Sequence, residues 1–302
     1  MTHTMPLDPR RATLLIVVVG ALWGLYWMPL RRLDALATAG PWATVVVLLV
    51  AVAVLAPAAW AGRQRLLAAP PRALLSVAAG GAAFVLYSNG LLYGQVAVVI
   101  LLFYLTPVWS TLIARFWLRR PVPGWRLGAI VVGLVGIGFV LRGGHGGLPL
   151  PHQPGDWLGL ASGLLWAIAS TGIHGHSRTR PAETNFVFCA GGLLGALALA
   201  PMLAGAAAPA LAPGAWPAAL TWTLVIGIGW WAMSLTAFVA ATQVVEPARV
   251  GILLMSEVIV GALSAAAFSA EPFGPLMAFG TLLVIGAGVL ESMPERRPRG
   301  AC

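Results

Sequence analysis

Glu257 lies near the middle of an apolar stretch, residues 246–272, that is long enough to cross a membrane. An ionised carboxylate at mid-depth costs at least about 2.5 to 3.5 kcal/mol on insertion scales, so such a residue faces a cavity or a partner. Two chemistries suit it there: pairing with a substrate ammonium, or carrying a coupling proton. A hydrogen bond that merely ties two helices is the structural alternative. Its neighbour Ser256 is a candidate with it. Tyr87 and Tyr104 offer apolar rings with one polar end, suited to lining a path for zwitterions or to ordinary helix contacts. Asn89 and Tyr93 share a face of their helix roughly 160° from Tyr87, so the three cannot all face one cavity. Pro107, mid-helix, removes a backbone hydrogen bond and frees a carbonyl. Inside a membrane that is tolerated where protein or a cavity satisfies the group, which marks a hinge or a cavity wall.

Other chemistries find no residues. All 18 basic residues other than histidine are arginine, and without lysine there is no phosphate-binding loop of the Walker type. Asp34 and Asp156 are expected in loops, and no His-x-x-x-His zinc pair or Gly-x-Ser-x-Gly nucleophile motif occurs. His174 and His176 are two apart and so on different helix faces. Cys189 and Cys302 give neither a metal spacing nor a disulfide pair. No catalytic residue, metal or cofactor is expected. Glu246 before Pro247 suits the start of a helix, with Arg249 three residues on in ion-pair reach.

The elements that position these residues follow from composition. Of 302 residues 59% are hydrophobic and 9% charged, with a mean hydropathy of +0.89. Soluble domains carry about 25% charged residues. The fold class is an all-α integral membrane protein, since a span needs about 20 apolar residues and the runs lack the alternation of barrel strands. Ten transmembrane helices are expected: 12–30, 41–60, 73–93, 95–118, 127–141, 157–175, 184–203, 216–239, 247–269 and 276–290. The positive residues before the first run do not make it a signal peptide, because it is long and lacks a small-x-small cleavage site. Many of the 13 tryptophans, such as Trp60, Trp157 and Trp216, sit at span ends as interface anchors; Trp109 and Trp166 do not, and are candidates for the site.

The chain reads as two copies of one unit. A shift of 151 sets Gln95–Pro121 against Glu246–Pro272, with Ala97 on Ala248, Leu102 on Leu253, Ala114 on Ala265 and Pro121 on Pro272. A shift of 143 sets Gly20, Leu22 and Trp23 on Gly163, Leu165 and Trp166. The first five-helix repeat is 12–141, the glycine- and proline-rich 142–156 connects, and the second repeat is 157–291. Five spans per copy invert the second copy, as in many secondary transporters. Charge agrees with two inverted repeats. With the N-terminus inside, 14 arginines fall at the inner face, three (31, 32 and 142) at the outer face, and Arg249 is unassigned. Both termini are then cytoplasmic. The net charge of +9 and the pI of about 11.2 are thereby explained without nucleic acid as a partner. Helices 5 and 10 are read as short and glycine-packed, carrying few polar side chains.

These features resemble the drug/metabolite transporter superfamily in its EamA-type, ten-helix form. The resemblance covers Ala12 to Ser292 and rests on ALWG at 21–24, LLWA at 164–167, LTPV at 105–108, MSEV at 255–258 and AEPF at 270–273. Within it the chain is similar to the YddG-like bacterial amino-acid exporters. It departs from the pattern where Val258 matches Pro107 and where Arg120 stands in place of a common glutamate.

The resemblance implies alternating access around a cavity walled by helices 3, 4, 8 and 9, with Trp166 beside the central path. It implies export of amino acids, aromatic and other largely uncharged ones first, across the bacterial inner membrane. Tyr87, Tyr104, Trp109, Trp166, Ser256 and Glu257 are the expected substrate-binding residues and Pro107 the hinge. The expected partners are a small-molecule substrate and the lipid bilayer, with a homodimer left open. A small-solute channel or an intramembrane enzyme is the alternative. The channel lacks rings of charge or a filter loop, and the enzyme lacks a reactive set.

Overall fold

A computed structural model describes residues 8–37, 40–117, 119, 124–145, 150–173, 179–204 and 213–291. His174, His176, Arg120, Cys302 and the centre of the connecting segment lie outside the described residues. Among these residues all regular structure is helical. Ten helices occupy the ten expected positions: α1 (Pro9–Leu36), α2 (Pro41–Ala61), α3 (Pro71–Tyr93), α4 (Val96–Trp117), α5 (Gly124–Gly144), α6 (Pro154–Ile173), α7 (Pro181–Ala204), α8 (Trp216–Thr242), α9 (Arg249–Phe268) and α10 (Pro275–Glu291). Eight of them are long and apolar enough to cross a membrane; α6 falls short in apolarity and α10, with 17 residues, in length. The chain is a multi-pass membrane protein.

Several helices start one to three residues before the sequence-based boundary, and the reason is proline. Pro9, Pro71, Pro154, Pro181 and Pro275 each open a helix rather than end the preceding loop. The first turn has no use for the missing N–H, and the ring presets a helical φ. A five-residue helix, Arg63–Leu67, occupies the loop after α2. Helix 5 is not short: its helical run extends to His145, 22 residues in all. Gly144 is held in it by a hydrogen bond of 2.9 Å from the Gln95 amide to its carbonyl.

Asp34 and Asp156, expected in loops, are on helices. Asp34 accepts the backbone N–H of Gly40 at 2.7 Å. Asp156, in the first turn of α6, accepts those of His152 and Gln153 at 3.0 and 3.1 Å. Both oxygens satisfy amides that a helix end or turn leaves open. Glu246 does precede the helix of Pro247, yet its side chain makes no hydrogen bond to the helix end.

Four helices are interrupted. α1 breaks at Leu25–Tyr26, and α4 runs as Val96–Phe103, Thr106–Leu112 and a wider-turned Ile113–Trp117. Pro107, in the first turn after the α4 break, cannot donate to the Phe103 carbonyl; the Thr106 hydroxyl donates to it instead, at 2.7 Å. The corresponding helix breaks at Leu254 and not at Val258. In α8, Val225–Ser234 is a π-helix. There the Asn185 amide, buried on α7, donates to the carbonyls of Trp231 and Ala232 at 2.8 and 3.0 Å. Wider turns leave carbonyls without regular partners, and a buried amide supplies them.

The helices pack in a pattern that repeats when five is added to each number. α3 lies on α6 as α8 lies on α1; α7 lies on α3 as α2 lies on α8; α4 lies on α6 as α9 lies on α1. α5 with α10 and α2 with α7 complete it. Small residues set the closest crossings. A Cβ at Gly81 on α3 would collide with the Phe188 carbonyl on α7, and one at Gly191 with the backbone of Ala78. Between lipid-facing helices, close backbone approach is a main source of packing energy. Outside the crossings, Arg65 pairs with Glu183 at the start of α7, and the same carboxylate accepts the Arg180 N–H at 3.0 Å.

Candidate functional site

The breaks of α4 and α9 meet. Glu257 follows the α9 break by three residues and is 6% exposed. Its Oε1 accepts the Tyr87 hydroxyl from α3 at 2.9 Å, and its Oε2 accepts the Tyr104 hydroxyl from the α4 break at 2.9 Å. Tyr104 also lies 2.9 Å from the Leu254 carbonyl, at the α9 break itself. Three helices thus converge on one carboxylate whose two oxygens are each held by a phenol. The two bonds fix the orientation of the carboxyl group.

Glu257 forms part of the wall of a cavity of about 520 Å³. Its walls carry six aromatic rings: Trp23, Phe84, Phe103, Tyr104 and Trp166, with Phe238 from α8. Phe84 is the hub. The rings of Trp23, Phe103 and Trp166 stand edge-on to it at 5.1, 5.8 and 5.3 Å between centroids. Edge-to-face contact fixes ring orientation as well as burying area, so the walls are preformed. Thr106, Pro107 and Ser110 line the cavity along α4. Arg126 and Glu291 also line it, from the start of α5 and the end of α10. A solute with an apolar body and one cationic or hydrogen-bonding head fits this arrangement.

Of the candidate residues, Glu257, Tyr104, Trp166 and Pro107 line the cavity. Tyr87 is fully buried and acts on it from behind, through Glu257. Ser256 turns away, donating to the Val17 carbonyl of α1 at 3.2 Å, and Trp109 packs against the core without lining the cavity. Asn89, on the other face of α3 from Tyr87, bonds back to Val85 at 2.9 Å, in keeping with the helix geometry. The walls include α1, α5, α6 and α10 beside the four helices anticipated. Trp23 was legible: it is the repeat mate of Trp166. Phe84 lies three residues before Tyr87 and so near its face, although nothing in the residue type marks it. Among the described residues no group of three His, Cys, Asp or Glu could hold a metal.

No curated protein matches the chain. A solved crystal structure of a protein resembles it with a TM-score of 0.59, covering 93% of this chain and 96% of that one at 19% identity. That likeness concerns the fold alone. Residues 10–142, which take in α1 to α5, match the model of the EamA-like transporter family.

Proposed function

We propose that the protein is a secondary transporter that exports small metabolites across the bacterial inner membrane by alternating access, with aromatic and other largely uncharged amino acids as the favoured cargo. The observation that carries this reading is the tyrosine-held carboxylate of Glu257 in the wall of an aromatic cavity. An ammonium group would meet Glu257, and the apolar side chain would lie among Trp23, Phe84 and Trp166. The repeating helix contacts support two inverted five-helix halves whose relative rocking exposes the cavity to one face at a time. Substrate would bias that equilibrium only through different affinities for the two states. The cavity is built from one chain, so a homodimer would contain two transport units. Flux into and out of proteoliposomes, measured with a panel of labelled metabolites, tests the proposal. Saturable, gradient-dependent exchange supports it; flux that rises linearly with concentration would make the protein a channel.

The arginine bias makes the topology testable. Gly124 and Gly274 both lie in open space, so a cysteine at either fits. An impermeant thiol reagent applied to intact cells is expected to label Gly274→Cys and leave Gly124→Cys unlabelled until the membrane is opened. The opposite pattern would overturn the inverted map.

Pro107→Ala is expected to slow turnover several-fold while changing the half-saturating concentration less. The substitution restores an N–H four residues after the Phe103 carbonyl and removes no polar side-chain contact, so it stiffens the break without altering the cavity's chemistry. Unchanged turnover in folded protein would reduce the proline to a packing feature.

A further inference from the structure

The face of α1 that packs on α9 is used in steps. Gly20 lies against Ser256; a Cβ at Gly24 would come within 2.7 Å of the Glu257 carbonyl and 2.8 Å of the Gly261 nitrogen; Trp27 Nε1 donates to Ser264 Oγ at 3.0 Å. The next member of the series, Arg31, reaches Glu271 in the turn after α9 at 2.7 Å. Positions 20 and 24 on one side of the α1 break, and 27 and 31 on the other, are each four apart, so each segment of α1 turns one face to α9 and the turn after it.

The last contact does more than pair two charges. Arg31 Nε donates to the Leu91 carbonyl at 2.9 Å and Nη2 to that of Gly94 at 2.7 Å, while Glu271 Oε2 accepts the Val96 N–H at 2.8 Å. The pair therefore joins the end of α3, the start of α4 and the α9–α10 turn. It lies near Pro275, the start of α10, whereas Arg126 and Glu291 line the cavity at that helix's other end. Seventeen residues of helix separate the two ends by about 25 Å.

We propose that the α1–α9 contact is the gate that closes the cavity toward Glu271, with the Arg31–Glu271 pair as its latch. This rests on the transporter reading given above. The latch closes on partly exposed groups, at 30% and 19% for the two side chains, where water can take over each bond as the helices part. The glycine contacts beneath it hold the gate only when the backbones are in register, so the gate has two arrangements and no gradual opening.

The test uses the full chain with Cys189→Ala, Cys302→Ser and a reporter, Ser110→Cys, in the cavity wall. A charged methanethiosulfonate is applied to either face of the membrane in cells and in inside-out vesicles. The parent is expected to react much faster from the Arg126 face. Glu271→Gln keeps an acceptor for Val96 but removes the charge, and Arg31→Lys keeps the charge but loses the fork. Each is expected to raise labelling from the Glu271 face about fivefold, as a shift of the closed–open equilibrium. Arg65→Gln, which breaks the Arg65–Glu183 ion pair away from the cavity, serves as the control and is expected to leave both rates unchanged.

Unaltered labelling from the Glu271 face in both latch variants, with melting temperature preserved, would overturn the gate. A labelling shift without flux of any tested solute would leave the gate standing and count against the transporter reading instead.

Discussion

Glu257→Gln is expected to lower transport at least about tenfold while the protein remains folded, because hydrogen bonds to a charged group are worth roughly 1.5 to 3 kcal/mol and a cationic substrate would lose one. The geometry makes the amide a clean replacement. Tyr87 can still donate to the amide oxygen, and the amide nitrogen can donate to Tyr104, whose own proton then turns to the Leu254 carbonyl 2.9 Å away. Shape and hydrogen bonding survive, and only the charge is removed. Glu257→Leu strands the buried Tyr87 hydroxyl and leaves Tyr104 only the Leu254 carbonyl, so it should lower the melting temperature as well as the flux. The two variants separate the electrostatic role from the structural one. Wild-type flux with unchanged pH dependence in the glutamine form, beside a destabilised leucine form, would reduce Glu257 to a helix tie.

Gly81→Leu is expected to abolish folded protein altogether. Any Cβ at this position meets the Phe188 carbonyl and lies 2.7 Å from the Gly192 nitrogen, both of them backbone atoms that cannot rotate away. Relief requires α3 and α7 to move apart, which forfeits the close contact along the whole crossing. Gly286→Ala, where a Cβ meets nothing, should behave as the parent. The measurement is the fraction of detergent-solubilised protein that runs as a single monodisperse species. A monodisperse Gly81→Leu variant would show that the α3–α7 contact is looser than described.

Sequence and structure divide the result unevenly. The all-helical membrane class, the eight long apolar helices and Glu257 as the odd residue in an apolar run follow from composition and periodicity, because the bilayer demands long apolar segments and penalises a lone charge. The match of Trp23 to Trp166 also lay in the sequence, where symmetry alone would have put both in the cavity wall. Helix starts were misplaced because a proline looks the same in a loop as in a first turn. The break in α9 at Leu254 was not legible, since no proline marks it and its partner is a tyrosine 150 residues earlier. The face presented by Ser256 was equally hidden: it adjoins Glu257, but one residue of helix turns a side chain by about 100°, and only the packing of α1 decides which of the two meets the cavity. The sequence by itself determined which segments enter the membrane and which charge goes with them. Tertiary structure alone decided that Tyr87, Tyr104 and Glu257 meet, and that Arg31 finds Glu271 across 240 residues, because such contacts depend on how helices cross and rotate and leave no local periodicity to read.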